Sequence, residues 1–265
     1  MYALGAVTAP SVTIGRYALG QGLVTTAQVT AHFLNEYADR EVDRSVTNRT
    51  LFSGGSGVLV GGALGPRSAL TAGIGTTILS LCIAVWLVPT NPVAALLGLG
   101  ALLVSWLYSM PPVRLLGAGW GELATTLVVV GVVPLIGVTS QGSGPPPALW
   151  AAIAVLLPVH LAAMLAFEVP DITSDRDAGK YVLAVRIGRR RTEQLIVALQ
   201  VGAAGLLAVA LGSVWLATTT AVAYVAALPA WVGSTAFKQD RFDRGTAAGV
   251  ATLVVVAAGL MVGIR

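Results

Sequence analysis

The sequence predicts an all-α, polytopic membrane helical bundle of about nine transmembrane helices, the first one short. Three observations predict it. Hydrophobic residues make up 55% of the 265-residue chain and charged residues only 11%, whereas a soluble domain carries about 25% charged residues. Apolar stretches recur along the whole chain at close to the roughly 20 residues that a membrane helix needs. The charges are segregated: 14 of the 16 Lys and Arg residues fall in four polar connections, at about 39–68, 109–120, 170–193 and 234–245, with only Arg16 and Arg265 elsewhere.

The elements follow in order. Residues 1–14 are hydrophobic but too few for a comfortable crossing, so a partial or tilted helix is expected there. Apolar periodic segments then predict spans at about 17–38, 69–88, 92–108, 121–139, 148–169, 194–212, 214–233 and 246–264. The turns at Pro89–Pro92, Gly142–Pro147 and Gly212–Ser213 are short and uncharged. Alternate connections share a side of the membrane, so this polarity is what nine crossings produce, and the basic side is the cytoplasmic one; eight crossings would keep the same polarised face and move the N-terminus across. An isoelectric point near 9.6 therefore reflects topology, and no nucleic-acid partner is expected. The lone Cys82 excludes an intramolecular disulfide and is expected as a small packing residue. Met1-Tyr2-Ala3-Leu4 has neither a basic stretch nor a cleavage site, so no signal peptide is expected.

Two acidic clusters stand out. Asn35-Glu36-Tyr37-Ala38-Asp39-Arg40-Glu41-Val42-Asp43 ends one apolar stretch, and Asp171-Ile172-Thr173-Ser174-Asp175-Arg176-Asp177 ends another. Asn35, Asp39 and Asp43 are four apart, so on a helix they cover roughly an 80° arc of one face. Asp171 and Asp175 repeat the spacing. Carboxylates massed beside a bilayer are costly unless cations meet them. Oxygen ligands of this kind suit Mg²⁺, which favours one or two carboxylates plus substrate phosphates over a full protein cage. Two such faces opposed, with Asp39, Asp43, Asp171 and Asp175 as metal ligands, could hold a diphosphate through bridging metals. Lys180 and Arg186, downstream of the second cluster, are placed to meet phosphate oxygens. Arg189–Arg191 read better as lipid-headgroup anchors. Between spans, Tyr108-Ser109-Met110-Pro111-Pro112-Val113-Arg114 ends a helix at paired prolines and offers Arg114 and the Tyr108 hydroxyl to the same region. Arg49, in the Asn48–Gly57 connection, is a further candidate phosphate contact. That connection lacks the lysine of a phosphate-binding P-loop and reads as a cap over the acidic face. His32 and His160 read as satisfied buried histidines.

Together these segments resemble the UbiA-type intramembrane prenyltransferases. Asn35, Asp39 and Asp43 match the family's first motif, with Glu36 where Asp is usual. Asp171, Asp175, Gly179, Lys180 and Leu183–Gly188 match the second, with Val182 where Thr is common. Tyr108-Ser109, Pro111-Pro112, Arg114 and Gly121-Glu122 look like a third landmark. The short first helix departs from relatives, which usually carry a basic residue there near the site. The resemblance implies a single transmembrane prenyltransferase domain over 1–265, with nine helices around a central cavity and cytoplasmic cap loops at about 39–68, 109–120 and 170–193. It implies Mg²⁺-dependent transfer of a prenyl chain from a polyprenyl diphosphate donor to an aromatic acceptor, in a prokaryotic cell membrane. Asn35, Asp39, Asp43, Asp171 and Asp175 would be the catalytic residues. Lys180, Arg114, Tyr108, Arg49 and Arg186 would bind the diphosphate. Lys180 and the tail after it look most like the 1,4-dihydroxy-2-naphthoate prenyltransferases of menaquinone synthesis. Acceptors such as 4-hydroxybenzoate, a glycerol-phosphate lipid or a tetrapyrrole stay open. A cation-coupled transporter also stays open, although it predicts carboxylates at the bilayer midplane and interrupted helices in both halves.

Overall fold

The computed structural model describes residues 1–45, 56–210 and 242–263. All regular structure among them is helical: α1 (Tyr2–Ala6), α2 (Ile14–Ser45), α3 (Pro66–Leu87), α4 (Pro92–Ser109), α5 (Gly121–Thr126), α6 (Val133–Ser140), α7 (Pro147–Glu168), α8 (Ile172–Asp177), α9 (Leu183–Ile187), α10 (Arg189–Ala210) and α11 (Phe242–Gly263). A π-helical segment, Leu127–Val132, joins α5 to α6, so Gly121–Ser140 runs as one rod. Pro134, two residues past its end, has no N–H to give back to the turn before it, which favours the widened winding. Four rods among the described residues are long and apolar enough to cross a membrane: Pro66–Leu87, Pro92–Ser109, Gly121–Ser140 and Pro147–Asp177. Their outward faces carry Val85, Trp86, Leu96 and Leu103, all exposed, as lipid-facing surfaces require.

One expectation is met and three are departed from, each with a physical cause. First, the opening hydrophobic piece is a partial helix, the five-residue α1, too short to cross. It packs as a plug against α6, because Gly5 and Gly137 let the two backbones touch. A Cβ at Gly5 would strike the Pro134 carbonyl, and one at Gly137 the Tyr2 carbonyl. The Tyr2 hydroxyl then pairs with Ser140 Oγ at 2.6 Å. Second, the 39–68 connection starts later than expected: α2 continues through Ser45, so Asp39 and Asp43 stand on the helix. An Arg44–Glu41 pair at 2.7 Å supports its last turn. Third, the 170–193 connection folds into α8 and α9. Fourth, Cys82 is exposed on α3 rather than packed inside. Span 214–233 and the turn at Gly212–Ser213 lie outside the described residues.

Polar side chains tie the first rods together. Thr30 pairs with Thr76 at 2.8 Å and Ser80 donates to Thr26 at 2.6 Å, joining α2 to α3. Ser105 donates to the Ala27 carbonyl at 3.0 Å, joining α4 to α2. Such bonds are a usual adhesive between membrane helices. Elsewhere α7 packs on α10 and α11 through Leu149, Leu156, Val159, Ala203, Leu207, Val256 and Leu260. At the far end, Gln141 accepts the Thr13 N–H at 2.8 Å and its carbonyl accepts from Arg16 at 3.0 Å.

Candidate active site

A cavity of about 1410 Å³ opens at the acidic end of the bundle. That exceeds the several hundred Å³ usual for a small-ligand pocket. Its inner walls are apolar, built from Leu23, Val24, Ala27, Ala101, Val133 and Ile136. Its mouth is lined by Asn35, Glu36, Asp39, Asp43, Asp171, Asp175 and Lys180.

Two elements bring the acidic clusters face to face. From α2, Asn35, Asp39 and Asp43 project along one face into the cavity. The α7 rod turns through a single 3₁₀ turn, Val169–Asp171, into α8, and so directs Asp171 and Asp175 at the same space. Gly179, at φ 72°, supplies the left-handed residue that ends α8. The chain reverses there, with the Lys180 N–H on the Asp175 carbonyl at 2.8 Å. The Lys180 side chain then reaches across the mouth. Its Nζ donates to Asp39 Oδ2 at 2.9 Å and lies 3.8 Å from Asp175 Oδ1. Burial pulls the ammonium towards its neutral form. The Asp39 and Asp175 carboxylates outweigh that pull and hold it above the ordinary lysine range.

The remaining expected residues divide. Tyr108 lines the cavity beside Lys180. Asn35 is fixed by Ser109, whose Oγ donates to Asn35 Oδ1 at 3.0 Å. Glu36 accepts the Ser56 N–H at 2.6 Å, and Ser56, Val58 and Leu64 cover part of the cavity. Arg186 is not brought to the mouth. Its guanidinium donates to the Tyr181 carbonyl at 2.9 Å and the Ala118 carbonyl at 2.6 Å, strapping the two cap connections together. Arg114 is exposed and does not line the cavity. Arg49 lies outside the described residues. His160 is buried and bonded to Thr126 at 3.0 Å, as expected of a satisfied histidine. His32 is instead exposed on the cavity wall.

Sequence reasoning passed over Glu168. It is the one carboxylate within 148–169 and stands three residues before Asp171, which puts it on the same helical face. Glu122 was visible only as part of a landmark. Both line or back the inner edge of the mouth, beside Tyr108.

Magnesium fits this donor set. Hard carboxylate oxygens from two elements converge, and the Lys180 ammonium already stands between two of them as a cation. Among the described residues no three His, Cys, Asp or Glu side chains close into a cage, so phosphate oxygens and water would complete the sphere, as is usual for Mg²⁺.

Comparison with known proteins places the fold. A UbiA homologue from Archaeoglobus fulgidus, solved bound to DMAPP and Mg²⁺, is 21% identical over 97% of this chain and 93% of its own, with a TM-score of 0.69. The same homologue bound to GPP and Mg²⁺ is 20% identical over 97% of this chain and 95% of its own, with a TM-score of 0.66. The apo structure of a homologue from Aeropyrum pernix K1 is 17% identical over 100% of this chain and 95% of its own, with a TM-score of 0.72. No curated protein matches the sequence. The sequence model of the UbiA prenyltransferase family matches residues 1–260, and the chain belongs to that family.

Proposed function

We propose that this prenyltransferase moves a prenyl chain from its diphosphate to an electron-rich aromatic acceptor, with Mg²⁺, at the cytoplasmic face of a prokaryotic cell membrane. The observation that carries the proposal is the Asp39–Lys180–Asp175 bridge across the mouth of a large apolar cavity. The mouth suits a charged diphosphate and the interior suits an isoprenoid. The Archaeoglobus homologue, which is similar in fold, was solved with such donors.

In this reading Asp39, Asp43, Asp171 and Asp175 hold Mg²⁺. Held there, Mg²⁺ would supply neutralisation of the negative charge on the leaving diphosphate. Lys180 exchanges its carboxylate contacts for phosphate oxygens and stabilises the leaving group through charge-assisted bonds. Asn35, set by Ser109, orients a phosphate oxygen or a neighbouring carboxylate. Tyr108 offers its hydroxyl at the inner edge. The apolar walls keep water from the allylic cation until the acceptor ring attacks it. Arg49 remains a candidate donor to the diphosphate; Arg114 and Arg186 would reach it only by moving from the positions described.

The Gly179-Lys180 pair and the Leu183–Gly188 tail favour a 1,4-dihydroxy-2-naphthoate-type acceptor, and hence a place in menaquinone-type quinone synthesis. The test incubates the purified protein with radiolabelled prenyl diphosphates and a panel of aromatic acceptors, with and without Mg²⁺. Label should reach an acceptor only with the metal. Asp39→Ala and Asp171→Ala should each abolish transfer while the protein still inserts; full activity in either would remove the metal assignment. No transfer to any acceptor would favour a transporter.

A further inference from the structure

Two buried carboxyls have no part in holding the diphosphate. Glu168 closes α7 one helical turn inward of Asp171 and lines the cavity. It is 9% exposed, and its Oε2 has no hydrogen-bond partner among the described residues. Glu122, in the first turn of α5, is 1% exposed. One of its oxygens accepts the Leu183 N–H at 2.6 Å, while its Oε2 likewise has no partner. The two carboxyl groups lie against each other behind Tyr108. The two form one buried pair. The groups facing it are Tyr108 from α4, Asp175 from α8 and Lys180 from the following turn; Asp171 and His160 line the same cavity.

We propose that Glu168, positioned by Glu122, receives a ring hydroxyl of the acceptor and takes its proton during transfer. The inference rests on the prenyl-transfer reading and adds the acceptor-side base. Glu168, whose Oε2 has no hydrogen-bond partner among the described residues, lies inward of the diphosphate-facing carboxylates, at the depth where the reacting carbon of the donor would meet a ring. As the hydroxyl proton passes to the Glu168 carboxylate, the oxygen's electron pair moves into the ring. The ring carbon bonds the first carbon of the prenyl chain, and the electrons of that carbon's bond to oxygen leave with the diphosphate. The ring ketone so formed regains aromaticity when the substituted carbon sheds its other group. A carboxylate leaves as CO₂; a hydrogen leaves as a proton to diphosphate or water. The electron pair returns to oxygen, which takes back the proton from Glu168.

The isosteric variants Glu168→Gln and Glu122→Gln test this, because an amide preserves the contact between the two side chains without a transferable proton. Expected for Glu168→Gln are a kcat for the hydroxyaryl acceptor at least about 100-fold lower, loss of the acidic limb of the kcat–pH profile, and an unchanged Kd for geranyl diphosphate with Mg²⁺. Glu122→Gln should shift that limb. A Glu168→Gln enzyme with wild-type kcat and pH profile would overturn the proposal. A second measurement needs no variant: wild-type protein should fail on an acceptor whose hydroxyl is methylated, and normal turnover of that compound would also overturn it. Absence of transfer by the wild-type protein to any acceptor would instead refute the prenyl-transfer reading itself.

Discussion

In the proposed function Lys180 prepares the cavity mouth for a multiply charged substrate. Its ammonium is largely buried yet held by two carboxylates, so it stays charged at any pH at which a membrane enzyme works. A group with a raised pKa contributes its stabilisation fully below its unfolded value, and that is lost only as pH climbs through the folded one. The Lys180–Asp39 contact should therefore persist from about pH 6 to 9, and any activity change in that window belongs to another group. Lys180→Met should lower kcat/KM for the donor about 100-fold, roughly the cost of one electrostatic donor in a transition state. Steady-state kinetics at fixed Mg²⁺ would measure it, and a loss under threefold would remove Lys180 from the diphosphate contacts. The carboxylates of the mouth were legible in the sequence because their spacing repeats at helical period, and Lys180 because it follows the second cluster closely. Glu168 was not, because it stands alone inside an apolar run and its counterpart Glu122 is distant in sequence; only folding places the two side by side. Arg186 was misleading for the opposite reason. A basic residue next to a motif looks like a ligand, and nothing in its spacing reveals that two backbone carbonyls already hold it.

At the scale of elements, α1 and α6 depend on glycine contacts that admit no side chain. Gly137→Leu should cost about 1–3 kcal/mol through overpacking, read as a lower midpoint of thermal unfolding in detergent. Tyr2→Phe removes only the bond to Ser140 and should cost about 1 kcal/mol. An equal effect of the two would mean that backbone contact is not what seats α1. Hydropathy placed the interior of each described rod well, since apolar length alone decides what can cross. It did less well at the ends. The extension of α2 to Ser45 depends on local ion pairing and on the partner elements that satisfy Asp39, while the fold of 170–193 into α8 and α9 depends on Leu116, Ile172 and Val182 packing together from distant parts of the chain.

For the molecule as a whole, the cavity links a charged mouth to an apolar interior. Chelation with EDTA should abolish turnover, and Mg²⁺ should restore it; activity that survives chelation would exclude a metal-held diphosphate. The interior should also limit donor length. Ala101, at the inner wall, is 5% exposed. Ala101→Phe should retain use of geranyl diphosphate while lowering use of longer donors about tenfold or more, measured as kcat/KM across a chain-length series. Equal loss for all lengths would show that the tail does not pass Ala101.

The 32-residue α2 is about 48 Å long at the usual rise per residue, well beyond the roughly 30 Å of a hydrocarbon layer. Its acidic turns can therefore stand beyond the hydrocarbon layer that the four apolar rods are long enough to cross. In the proposed reaction the two products would then part by solubility, pyrophosphate draining to the aqueous phase and the prenylated product staying with the lipid. Each departs into the medium that dissolves it, and that separation opposes the back-reaction without any further machinery.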